Sequence, residues 1–210
     1  MLRRIRLILW AAAGIAALLS AALVWPALNA PRMSDAPAAG WPLADADWRL
    51  VDHTGRPFTA ADLNSRLTLL VFGFTQCPDV CPTSLGYVAT VLQALGPQAD
   101  AVRPVFLTVD PERDTMAVMA RYVAHFDPRI FGLTGTPEEV AKATGDLGVY
   151  ARKVPQDGGY TMDHTATMIL LDEGGRFRST LDIHETPEVA VEKVRLLLKR
   201  SMRSGPPLAG

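Results

Sequence analysis

The 210-residue chain has only two cysteines, almost no net charge and no internal repeat. Two cysteines cannot staple a disulfide-rich mini-fold or form a four-thiolate zinc site; a single disulfide, a redox pair or part of a mixed-ligand metal site remain. A formal charge of −1, with charged residues at 20% and hydrophobic residues at 49%, excludes both a nucleic-acid-coating protein and a disordered one. Low complexity is confined to a Pro-, Ala- and Gly-rich stretch from Pro31 to Pro42. The length suits one globular domain with a short extension.

The charge is unevenly placed. Arg3, Arg4 and Arg6 precede an uncharged apolar run from Leu7 to Trp25 that ends at Pro26. Such a run is long enough to cross a bilayer and longer than the apolar core of a usual cleavable signal. We expect residues 1–30 to be an uncleaved anchor with its basic end in the cytoplasm. Cleavage after Ala30 is the alternative, although Leu28 suits it poorly and no nearby Cys offers a lipid attachment point. Residues 31–45 read as a flexible tether, 46–200 as the outward-facing domain and 201–210 as a frayed tail. With no Arg- and Ser-rich transit peptide ahead of the anchor, a single pass through a bacterial inner membrane, with the domain in the periplasm, is the expected location. Without the three anchor arginines, 18 basic residues face 22 acidic ones, so the domain is mildly acidic.

Strand and helix patterns alternate along the domain. Trp48 to Val51 and Pro57-Phe58 flank a turn, and Leu67 to Phe74 is an apolar run suited to a strand covered on both faces. Leu85, Val88, Leu92 and Leu95 then mark one face of a helix. Val105 to Val109 reads as a strand, and Met116, Met119, Val123 and Phe126 as an inward stripe introduced by the capping candidates Asp114 and Thr115. Ile130 to Leu133 is a short strand, and Thr136-Pro137-Glu138-Glu139 opens a helix running to about Leu147. Thr167 to Leu171 and Phe177 to Leu181 form a hairpin, and a last helix points Val191, Val194 and Leu198 inward. This order predicts an α/β, thioredoxin-like, three-layer fold with a central mixed sheet.

Cys77 and Cys81 follow the Leu67–Phe74 strand and precede the Leu85 helix, the place where open α/β sheets build sites. The helix end favours thiolate, which a nucleophile and a metal ligand both need. Their spacing of four permits either a disulfide or a chelate. Pro78 and Pro82 disfavour helical geometry in the cysteines before them, so regular helix is expected only after Pro82. An inert disulfide is the competing reading, weakened because so short a loop gains little from closure. A complete structural zinc site would need histidines or carboxylates for its missing ligands.

Four histidines could supply a third ligand. His164 precedes the Thr167 strand and follows a segment loosened by Pro155, Gly158 and Gly159, whereas His53, His125 and His184 read as solvated surface. Spacing alone leaves His164 open between ligand and satisfied polar residue. Two thiolates and an imidazole would suit copper in either oxidation state, and the same thiols could supply two electrons.

Three blocks, Gly73-Phe74-Thr75-Gln76-Cys77-Pro78-Asp79-Val80-Cys81-Pro82, Val109-Asp110-Pro111-Glu112-Arg113-Asp114-Thr115 and Asp163-His164-Thr165, resemble the SCO/SenC family in content and order. The resemblance runs from about Trp48 to Leu198. It implies a thioredoxin-like protein that binds one copper per chain and assists assembly of the binuclear copper site of cytochrome c oxidase. Cys77, Cys81 and His164 would be the ligands, with Asp110 supporting them without binding. The implied partners are the copper-site subunit of the oxidase and another periplasmic copper chaperone or thioredoxin-like reductant. Met116 departs from the family pattern, where Pro is expected at the helix start. A thiol-disulfide oxidoreductase acting on the recipient's cysteines would use Cys77 and Cys81 as its catalytic redox pair and could dispense with His164. A copper or redox sensor also remains open, and a peroxidase fits a proline-flanked pair poorly.

Overall fold

The computed structural model describes residues 46–204, together with Arg3, Arg6 and Trp10. The chain divides into two units, Met1–Ala38 and Ala39–Gly210. In the first unit, the three described residues are helical and exposed. The run expected to be an anchor otherwise lies outside the described residues, as does the tether up to residue 45; among the described residues no helix is long and apolar enough to cross a membrane.

The second unit is built on a seven-stranded mixed sheet of order β2-β1-β5-β4-β3-β8-β9. Its strands are β1 (Arg49–Asp52), β2 (Pro57–Thr59), β3 (Leu67–Gly73), β4 (Val102–Thr108), β5 (Phe131–Thr134), β8 (Met168–Leu171) and β9 (Phe177–Leu181). The central strands β3, β4 and β5 run parallel, and the flanking pairings are antiparallel. Every residue of β3 is buried, as its apolar run requires of a strand covered on both faces. A separate hairpin of β6 (Ala151–Gln156) and β7 (Gly159–His164) stands apart from this sheet.

The helices are α1 (Val80–Leu95), α2 (Met116–Val123), α3 (Pro137–Asp146) and α4 (Pro187–Ser204). α1 packs against α4, and α2 against β5. A Cβ placed on Gly73 or Gly132 would meet Cys81 of α1 or Met119 and Val123 of α2, so both helices cover the same sheet face. On the other face α3 packs against β1, and a cleft lined by Val109, Val140 and Thr144 lies beneath it.

Thr115 caps α2 by accepting from the Val118 amide, and Thr136 caps α3 through Glu139, as the sequence leads one to expect. Four expectations need correction. α1 begins at Val80, ahead of Pro82: proline occupies the first turn, where a missing N–H costs no intrahelical bond. Pro155 to Gly159 form not a loose loop but part of the β6–β7 hairpin, whose turn uses the positive φ of Gly158 and Gly159. Met116 is 44% exposed at the start of α2, its sulfur set against Gly55, and does not join the inward stripe. α4 carries on to Ser204, beyond the point where a frayed tail was expected.

Candidate metal centre

The fully buried strand β3 ends at Gly73, and the chain turns through Phe74 and Cys77 into α1. The Cys77 amide donates to the Phe74 carbonyl at 3.2 Å, and the Cys81 amide to Cys77 Sγ at 3.4 Å. Both cysteines are free thiols; Cys77 is half-buried and Cys81 only 1% exposed. Glycine at position 73 makes this seating possible, because a Cβ there would stand 2.6 Å from Cys81 Sγ.

His164 ends β7. Its Nε2 lies 3.8 Å from Cys81 Sγ, and its Nδ1 lies 2.9 Å from the Thr165 carbonyl oxygen. A carbonyl only accepts, so the bond fixes the proton on Nδ1 and turns the Nε2 lone pair toward the sulfur. The imidazole also meets Phe74 edge to face, with centroids 5.8 Å apart at 89°.

The span fits a bound ion. With a metal–sulfur bond of about 2.3 Å and a metal–nitrogen bond of about 2.0 Å, a trigonal angle sets sulfur and nitrogen about 3.7 Å apart. Among the described residues, however, no group of three or more His, Cys, Asp or Glu is already gathered around a common metal position. Cys77, Cys81 and His164 could hold an ion between them, and Cys81 Sγ and His164 Nε2 already face each other.

Burial pushes the Cys81 thiol well above its ordinary pKa, reinforced by its hydrogen bond with Cys77 and by the negative charges of Cys77 and Asp114. The thiolate expected from the helix end does not materialise at Cys81: desolvation outweighs the partial charge of the helix terminus. Its proton would leave most readily in exchange for a cation, which restores local charge balance.

Asp110 is buried behind this set. Its amide donates to Thr108 Oγ1, one carboxylate oxygen accepts from the Tyr160 hydroxyl at 2.8 Å, and the other pairs with Arg113 Nε. Burial and the bond to Asp110 push the Tyr160 pKa up to about 12, so the phenol stays a donor. Asp110 therefore reaches the hairpin that carries His164 without touching a cysteine in any bond described.

Asp114, which the sequence suggested only as a cap, is fully buried and accepts from the Thr75 amide, the Thr75 hydroxyl and the Thr108 hydroxyl. Burial raises its pKa despite these bonds. The other histidines stand aside. His125 and His184 are exposed, while His53 is half-buried, correcting the surface expectation: its Nδ1 accepts from the Gly132 amide at 3.2 Å.

A model of the SCO1/SenC family matches residues 38–199. The chain belongs to this family. Among its relatives, the zebrafish (Danio rerio) protein SCO2 homolog, mitochondrial, is 40% identical over 78% of this chain and 60% of its own length. The SCO2-like protein of Rickettsia felis is 34% identical over 70% of this chain and 73% of its own. The chain spans about six tenths of the length of the vertebrate SCO2 relatives it matches. Among solved structures, copper-bound ScoI of Bradyrhizobium japonicum is 48% identical, with a TM-score of 0.68 over 71% of this chain and 96% of that one. Yeast Sco1 with copper bound is 32% identical, with a TM-score of 0.67 over 77% and 94%.

Proposed function

We propose that this SCO1/SenC chain binds copper through Cys77, Cys81 and His164 and delivers it to the binuclear copper site of cytochrome c oxidase during assembly. The observation that carries the copper reading is the facing pair Cys81 Sγ and His164 Nε2, 3.8 Å apart, with the imidazole proton already held on the far nitrogen. Copper-bound relatives of the same fold support it. The soft thiolates suit Cu(I), and the imidazole makes the set usable by Cu(II). Asp110 acts from behind, through Tyr160 and Arg113. The oxidase and its copper-site subunit as recipient follow from the family resemblance, as does a copper donor or thioredoxin-like reductant as second partner.

Residues 1–30 serve in this reading as a single-pass anchor in a bacterial inner membrane, residues 31–45 as a tether and residues 46–200 as the periplasmic copper-binding domain. The Arg cluster and the uncharged run behind it support that placement.

The test uses the full-length chain in detergent, reduced without oxygen and titrated separately with Cu(I) and Cu(II), as wild type and as His164→Ala. The expected result is one copper per chain, with thiolate-to-Cu(II) charge-transfer absorption lost in the variant and Cu(I) retained by the thiols. Two free, reactive thiols that take up no stoichiometric copper would overturn the reading and leave thiol-disulfide exchange with the recipient's cysteines in its place.

A further inference from the structure

The ligand set is divided between two bodies: the cysteines belong to the β3–α1 connection, and His164 to the separate β6–β7 hairpin. Arg113 lies between them and touches both. Its Nη1 donates to Gln76 Oε1 at 3.0 Å, beside Cys77, and to the Tyr160 carbonyl at 2.9 Å, in the hairpin. Its guanidinium sits 5.7 Å from the Phe74 ring centroid and 3.8 Å from that of Tyr160. Nε is paired with Asp110, which also accepts from the Tyr160 hydroxyl. The side chain is only 20% exposed.

We propose that Arg113 is a positioning residue that clasps the His164 hairpin to the cysteine turn and so sets the distance between imidazole and thiols. The guanidinium suits this task because one rigid plane can donate along its edge while its faces meet aromatic rings, giving attachment to two elements at once. Phe74 completes the linkage, since the ring beneath Arg113 is the one whose neighbour is the His164 imidazole. Glu112 adds an ion pair to Lys153 on β6, so the turn carrying Arg113 holds both hairpin strands. The inference rests on the proposed ligand set, but the position of His164 can be read with no metal present.

The experiment compares full-length wild type, Arg113→Gln, His164→Ala and the double variant. In the metal-free protein, Arg113→Gln is expected to move the His164 ring signals in NMR away from the values set by the Phe74 ring, while amide exchange in β3 and β4 stays protected. Cu(II) affinity should fall about tenfold or more, the range for losing a group that orients a ligand. In the His164→Ala background, read with the Cu(I) that the thiols still hold, the same substitution should cost almost nothing further. Unmoved His164 signals, or an equal loss of affinity in both backgrounds, would overturn the assignment. If Arg113→Gln does not fold, Arg113→Lys, which keeps the charge without the planar fork, is read in the same way. Should wild type take up no copper, the copper reading fails while the metal-free His164 signals still decide the role of Arg113.

Discussion

Gly73, against the Cys81 sulfur, and Gly86, farther along α1, give a test in which the same substitution should act with opposite signs. A methyl group on Gly73 would stand 2.6 Å from Cys81 Sγ and 2.9 Å from Phe106 Cε2, against the 3.4 Å at which ordinary contact begins. One of these groups would have to retreat by about 0.8 Å in the sulfur's case, taking the difference of those contacts. Phe106 has nowhere to go, being fully buried and packed on Tyr122. Overpacking of this kind costs about 1–3 kcal/mol. Gly73 has no positive φ, so alanine gains back about 0.4–1 kcal/mol from the unfolded chain. The net loss centres on about 1.3 kcal/mol within a span of about 0–2.6 kcal/mol, which lowers Tm by about 3–5 °C at the centre. Gly86 lies inside α1 with nothing within 4 Å of a Cβ, so Gly86→Ala should stabilise the helix by about 0.5–1 kcal/mol. Thermal and urea unfolding of both variants measures the two signs. Iodoacetamide labelling of the metal-free protein adds a local readout, because a displaced Cys81 should react faster in Gly73→Ala. A Gly73→Ala chain as stable as wild type, with Cys81 equally protected, would refute the claim that this glycine is required by the sulfur above it.

Thr108→Val should cost about 2–3 kcal/mol by chemical denaturation, since it removes one donor from buried Asp114 and the acceptor of the buried Asp110 amide. An undiminished midpoint would show that those groups find other partners. Asp172 gives a prediction with pH. Burial tends to raise its pKa, but bonds from the Arg176 amide, the Arg178 side chain and the Gly174 amide outweigh this and hold it below its ordinary 3.8. It therefore contributes stability above that value, lost as pH falls through the lower folded value; Asp172→Ala should be less stable near neutrality and have a shallower acid limb in urea midpoints. Asp114, raised by burial, has the opposite sign: its penalty develops as pH climbs from 3.8 to its higher folded value. Parallel acid limbs in wild type and Asp172→Ala would count against this account.

The main strands and helices could be read from the sequence because each carries its own periodicity: the unbroken apolar run of β3, the spacing from Leu85 to Leu95 and the Thr-Pro-Glu-Glu start of α3 are local signals. The β6–β7 hairpin had none. Ala151–Gln156 and Gly159–His164 show neither a buried face nor an alternation, and their residues are mostly exposed or half-exposed, so only pairing across the turn defines them. The site divides in the same way. The cysteines could be placed from their position after a strand, but the roles of Asp114 and Arg113 depend on partners dozens of residues away, at Thr75 and Tyr160. Gly73 does carry a local sign: glycine inside an otherwise bulky strand often marks a close approach by another group.

The unequal exposure of the two sulfurs also gives thiol exchange at this site a direction. Cys77 is half-buried and Cys81 almost wholly covered. In any disulfide joining them, an incoming thiolate could reach only the Cys77 sulfur, forming a mixed disulfide there and expelling Cys81 as the leaving group. That leaving sulfur sits where burial disfavours the anion, and a thiol of high pKa departs slowly. Oxidation of the pair would thus store a bond that is slow to open from outside, and the order of attack and release is set by how deeply α1 seats its first turn over β3.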